Sequence, residues 1–370
     1  MTTRFGLLIN LLLTVVSLSL IAQPNDSSSS TQRVIFSNEA TKPATIAKST
    51  KIEDSTSHWS VTTPLPQAVQ EIYPVHWQSS LVVAGGLYAH PQARYIITEK
   101  VWARDITTPD ATWVELASLP EPRHHPILAS IGPQLFALGG FIETAQGKWT
   151  NSTDVYLLSS GAGSWQPKQP IPIALSETVI AVIDGRIHLA GGRTLAGEQN
   201  GNWNDSTDTD WHGIYNPTTD SWTTAPPLPQ AKNSACSAVV NGRWHVIGGR
   251  TVELENLATH HVYDVEKDQW IEEPPMPEAR GGLACAAVDS IIYVFGGEDF
   301  KPERGVFDKV LAYDTVQRTW TEFGIMPSAR HGLGAVNAEQ SIYLIGGATK
   351  AGAIGTSPLV SKFTLIPKSQ

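Results

Sequence analysis

Short apolar runs recur along the chain, and each ends at a glycine pair. These pairs begin at Gly85, Gly139, Gly191, Gly248, Gly296 and Gly346. A tryptophan stands 26 residues before each: Trp59, Trp113, Trp165, Trp222, Trp270 and Trp320. Six residues after each tryptophan comes a hydrophobic residue followed by proline, from Leu65-Pro66 to Met326-Pro327. Offsets this constant mark an internal repeat of about 50 residues, so the unit of structure is the repeat. Within a unit the pattern predicts four strands, a to d. Strand a is a small-residue run such as Leu283–Val288. Strand b ends at the glycines, strand c carries an aromatic residue (Trp102, Tyr156, Tyr215, Tyr263, Tyr313, Phe363), and strand d carries the tryptophan.

The repeat starts with a d strand at Trp59 and ends with a c strand around Lys362–Ile366. The last unit lacks its own d strand, so the first tryptophan strand is expected to complete it and cover the seam. Four alternating strands put the d–a and b–c connections on one face. Tryptophan-to-glycine spacing never varies, so length variation falls outside the d–a and a–b connections. In the b–c connection the third repeat carries seven extra residues.

That segment, residues 193–214, sets Trp203 and Trp211 among Asn and Asp side chains with no hydrophobic run. Flat rings among hydroxyl-binding groups suit a sugar. Candidate ligand contacts here are Arg193, Trp203, Asp208, Asp210, Trp211 and His212; the alternative is that both tryptophans pack on neighbouring loops. Asp205, Asp208 and Asp210 supply oxygen ligands, but the central Gly and terminal Glu of a twelve-residue calcium loop are missing. No metal and no cofactor is assigned. Ten residues after the tryptophans stand Arg123, Lys232, Arg280 and Arg330, followed in two repeats by His124 and His331. With Arg250 after the fourth glycine pair, they are expected at the channel mouth, either facing a ligand or bonding carbonyls. Glu71 and Glu177 depart from the repeat there and are stronger functional candidates.

Hydrophobic run, Gly-Gly, Tyr-Asp and Trp, fullest in residues 292–297, Tyr313-Asp314 and Trp320, resemble the kelch family, including the repeats of the galactose oxidase central domain. The resemblance covers about residues 58–366. It implies an all-β fold, a six-bladed kelch β-propeller of four-stranded antiparallel blades closed by the N-terminal outer strand. It also implies loop residues that bind a ligand. Gly297-Glu298-Asp299-Phe300-Lys301-Pro302-Glu303-Arg304 is similar to a Gly-Glu…Lys-Pro…Arg stretch of the periplasmic sialic acid mutarotases, though it falls in the fifth repeat and not the fourth. That similarity implies Glu298 as general acid or base and Arg304 as the carboxylate clamp.

Residues 1–22 read as a signal peptide: Arg4, an apolar run from Phe5 to Ile21 and small residues near Ala22. Residues 23–57, rich in Ser and Thr, read as a disordered linker, and 58–370 as the propeller. The expectation is a secreted or periplasmic monomer, not inserted in a membrane once the leader is removed. Charged residues make up only 16% of the chain, against 41% hydrophobic, which argues against disorder elsewhere. A formal charge of −9 without a basic patch excludes nucleic acid as a partner. Cys236 and Cys285 sit at offsets of opposite parity on neighbouring a strands, so no disulfide is expected. Two function classes remain: a propeller that binds a glycan, small sugar or protein, and a mutarotase acting on a sialic-acid-like sugar.

Overall fold

The computed structural model describes residues 55–90, 93–301, 305–338 and 340–367. The leader and most of the linker expected from the sequence lie outside these residues. Six antiparallel sheets follow one another, each with four strands in spatial order. The innermost strands are Val75–Trp77, Ile127–Ile131, Val179–Ile183, Cys236–Val240, Gly281–Val288 and Gly334–Ala338. Each of these pairs with the strand ending at its glycine pair, and that strand pairs with the aromatic-bearing third. In the sixth sheet the outer strand is Ser55–Val61, which pairs with Val360–Pro367 in the register Trp59 to Phe363. It begins at Ser55, three residues before the boundary expected from composition.

Two kinds of stitch join neighbouring sheets. The first uses the glycines. The amides of Gly86, Gly140, Gly192, Gly249, Gly297 and Gly347 donate to the carbonyls of Arg123, Leu175, Lys232, Arg280, Arg330 and Val69 in turn. A Cβ on Gly296 would sit 2.0 Å from the Arg330 carbonyl, so only glycine permits this approach. The second stitch uses the tryptophans. Trp113, Trp165, Trp222, Trp270 and Trp320 each donate an indole N–H to a carbonyl of the preceding unit, at 2.8–3.1 Å. A single joint thus draws its glycine from one repeat and its tryptophan from the next, as where Gly86 bonds Arg123 and Trp165 bonds Ala117. Between the sheets lie layers of buried apolar side chains such as Leu283, Ile292, Val294 and Tyr313.

Cys236 and Cys285 are joined by a disulfide with Cα atoms 5.6 Å apart, which corrects the sequence expectation. Residues of opposite parity do point to opposite faces of a single sheet. Stacked sheets, however, present the front of one to the back of the next. Cys236 opposes the residue just before its glycine pair, Ile247, whereas Cys285 opposes Val294, one position earlier. Opposite parity is what aims the two sulfurs at each other across the joint.

The long connection in the third repeat is also more regular than the sequence suggests. Arg193–Leu195 and Ser206–Asp208 form a two-stranded ribbon, topped by a 3-10 turn at Trp203–Asp205. Asn202 caps that turn, and Asp205 returns the bond to the Asn202 amide. Similar ribbons rise from the first repeat, Leu87–His90 with Ala93–Ile97, and from the second, Phe141–Glu143 with Trp149–Asn151.

Candidate functional site

The residue twelve places after each repeat tryptophan sits where the chain enters the innermost strand: Glu71, His125, Glu177, Ser234, Gly282 and Gly332. All six have left-handed backbone, with φ from 49° to 64°. Their backbones are chained around the channel. Glu71 donates to Gly332, Gly332 to Gly282, Gly282 to Ser234, Ser234 to Glu177, and His125 to Glu71, at 2.7–3.0 Å. Glycine meets this requirement without strain and is used twice. The other four positions accept a cost of order 1–3 kcal/mol each to carry Glu, His, Glu and Ser.

Those side chains converge with two arginines, a third carboxylate and a second histidine. Glu71 lies 2.8 Å from His125 Nε2. Arg193 Nε lies 3.1 Å from Glu177, and the Ser234 hydroxyl donates to the same carboxylate. Arg250 Nη1 donates to Glu298 at 2.5 Å, and its Nη2 stands 4.0 Å from Glu177. The Gly352 amide donates to the other Glu298 oxygen at 2.7 Å. His331 Nε2 is 2.8 and 2.9 Å from the Gly352 and Lys350 carbonyls, so that nitrogen carries a proton. Its Nδ1 faces Glu298 at 3.4 Å and Glu71 at 3.7 Å. Gly332 completes the arrangement by omission: a Cβ there would come within 2.7 Å of the Glu71 carboxylate.

Most of the network is closed to water, with Glu71 only half-buried. The side chains of Glu177 and Glu298 are each 2% exposed. Trp203 lies over the Arg193 guanidinium at 4.0 Å and Phe300 over that of Arg250 at 5.3 Å, so aromatic faces cap both cations. Burial by itself would raise the Glu177 carboxyl. Arg193, His125, Arg250 and the Ser234 hydroxyl outweigh it and hold that group at about 2. Glu71 is likewise held well below the ordinary carboxylate range, where His125 and His331 overcome its burial. Beneath the network runs a channel of about 540 Å³ between the innermost strands, walled by residues such as Ala129, Ala181, Cys236 and Ala284.

Five residues singled out in the sequence, Glu71, Glu177, Arg250, Glu298 and His331, meet here, with Arg193 and Trp203 at the edge. His125 was missed, although its constant offset from Trp113 marks it. Arg304 lies outside the described residues. Arg123, Arg280 and Arg330 point elsewhere: each donates Nη1 to the carbonyl of the first glycine in its own sheet, at 2.6–3.2 Å, and each is fully buried. They clamp the glycine turns. His124 is buried among His125, Phe141 and Trp149, and its burial drives its basicity far down. His212 turns into the stack between the third and fourth sheets, 3.1 Å from His188. Asp208 bonds Asn233 and the Val252 amide, while Asp210 is exposed. Trp211 packs on Trp222 with ring centres 5.9 Å apart, as the packing alternative anticipates.

What Trp211 does not provide, Trp149 does. The second and third ribbons are locked together by Asn200, whose side chain accepts from the Asn151 amide at 3.0 Å and donates to the Asn151 carbonyl at 2.9 Å. Thr150 and Ser206 add two more cross-bonds. Between the ribbon tips opens a cleft of about 640 Å³ lined by Gln146, Lys148, Trp149, Asn202, Trp203 and Asn204.

Residues 167–347 match the family described as KLHDC2/KLHL20/DRC7 Kelch-repeats domain. Kelch-like protein terF of Aspergillus terreus is 30% identical over 171 residues, 46% of this chain and 35% of that protein. Kelch repeat and BTB domain-containing protein 12 of Danio rerio is 27% identical over 46% of this chain and 27% of its own length. F-box/kelch-repeat protein SKIP30 of Arabidopsis thaliana is 29% identical over 40% of this chain and 42% of its own. The match thus spans less than half the length of each of these curated relatives. The solved structure of YjhT superposes with a TM-score of 0.71 over 83% of this chain and 100% of that one, at 16% identity, a likeness of fold. The chain therefore carries a kelch-repeat β-propeller domain.

Proposed function

We propose that this chain is a secreted or periplasmic, monomeric recognition module, a six-bladed kelch propeller closed by its first strand, which binds a carbohydrate or protein ligand on the ribbon face. One observation carries the reading: the charged network at that end of the channel is internally paired and capped by Trp203 and Phe300, while the open space on the same face lies between the ribbons. A closed network braces the ribbons as a platform, which suits binding better than turnover.

A second reading, a mutarotase acting on a sialic-acid-like sugar through Glu298 and Arg304, has the convergence of Glu298, Arg250 and His331 in its favour. It requires Glu298, now bonded by Arg250 and Gly352, to be released to substrate. One experiment separates the two. Monosaccharides and oligosaccharides are screened for binding, and anomer exchange of N-acetylneuraminate is followed by NMR with and without the protein. Binding of a screened sugar without faster exchange supports the module. Exchange accelerated by the protein and abolished by Glu298→Gln establishes the mutarotase instead.

A further inference from the structure

We infer that the cleft between the second and third ribbons is a saccharide site, with Trp203 and Trp149 as its stacking surfaces. This rests on the recognition-module reading and names the ligand class for it.

Both indoles are half-buried and both line the same cleft. Each is fixed from behind. Trp203 has one face on the Arg193 guanidinium, itself anchored to Glu177, which leaves the opposite face for the cleft. Trp149 is held edge-on against buried His124 at 4.4 Å, with Tyr95 6.4 Å away. The Asn200–Asn151 pair prevents the ribbons from sliding. The aromatic faces are thus organised before any ligand arrives, which removes an ordering cost from binding.

The remaining lining selects the chemistry. Gln146, Lys148 and Asn204 are exposed at the lips, where amides can donate to and accept from vicinal hydroxyls. Asn202 is spent on its turn and shapes the floor. Among the described residues no aliphatic side chain lines the cleft, so a purely apolar ligand would find only the two rings. A pyranose offers C–H faces for the indoles and a rim of hydroxyls for the amides. At about 640 Å³ and open to solvent, the cleft accommodates more than one ring, which points to an oligosaccharide.

The test uses the full chain and four pure probes: maltohexaose, cellohexaose, chitohexaose and 3′-sialyllactose. Binding is followed by tryptophan fluorescence and calorimetry. At least one probe is expected to bind, with Trp203→Ala and Trp149→Ala each weakening it roughly tenfold or more. Trp203→Phe, which keeps a flat ring over Arg193, should restore most of the affinity, a rescue that a merely structural role would not require. Trp211→Ala, in the Trp222 stack, should lower the melting temperature and leave affinity unchanged. If none of the four probes binds, the inference is wrong. If a probe binds and both cleft variants retain full affinity while folded, the cleft inference falls and the recognition module stands. Accelerated anomer exchange of the bound sugar would overturn the module reading itself.

Discussion

At the ribbon end of the channel, Glu177 and Glu298 are buried and Glu71 half-buried against Arg193, Arg250, His125 and His331. At the other end, Val182 and Val239 stand 37% and 38% exposed beside short turns, and the channel walls are small apolar residues. Both ends are built from the same repeat. They differ because the innermost strand enters at the first end through a left-handed residue, which leaves a side chain pointing at the axis. The repeat sets the position, and departures from it supply the chemistry.

The largest effect expected from this difference follows removal of one charge. Arg250→Met leaves Glu298 and part of Glu177 buried without their cation. Breaking a buried pair in this way costs about 3–5 kcal/mol. Val182→Ser at the open end should cost within about 0.5 kcal/mol. Urea titration of the two variants checks the contrast. Equal midpoints would mean that the ion network is not what braces the ribbon end.

The disulfide gives a second, smaller effect on the joint between the fourth and fifth blades. It closes a loop of 49 residues, for which the chain-entropy account gives about 4 kcal/mol and experience about 2–4. The Cys236→Ala, Cys285→Ala double variant should lose that much. Since the bridge lies in the channel wall, away from Trp149 and Trp203, ligand binding on the ribbon face should survive in the folded variant. Loss of binding at full stability would show that the two ends of the channel are coupled.

Constant offsets made the fold legible, because each joint needs an indole at one place and two glycines at another. They made the centre of the site partly legible. Glu71, Glu177, Glu298, Arg250 and His331 stand out as unlike residues at repeated positions. The arginines ten residues after the tryptophans follow the carbonyl-bonding alternative: a residue repeated in several blades is there for the blade, and these clamp the glycine turns. Trp149 was invisible because its ribbon has ordinary length and nothing local marks its neighbour across space. The disulfide escaped because face parity was compared as if the two strands shared a sheet.

The finest discrimination between regions comes from acid. His188 and His212 lie in the joint between the third and fourth blades, His245 and His260 in the next, with ring nitrogens 3.1 and 2.9 Å apart. Burial lowers His188, His212 and His245 to about 4, and it lowers His260 as well. Each is neutral when folded and begins to take a proton near pH 6.5 when unfolded. The unfolded state therefore binds more protons between pH 6.5 and 4, and stability falls as pH drops through that window. Glu177, held at about 2, contributes stability that is present above pH 4.5 and lost only as pH falls toward 2. The blade joints, with buried His124 beside the network, thus weaken first and the Glu177 ion pairs later. Between pH 7 and 6 each such histidine should cost about 0.7 kcal/mol. Replacing one, as in His188→Gln, should flatten the slope of unfolding free energy over that interval by about the same amount, while Glu177→Gln should leave it unchanged. If instead Glu177→Gln removes the slope near pH 6 and His188→Gln does not, the titration belongs to the ribbon end, and the assignment of acid sensitivity to the blade joints is wrong.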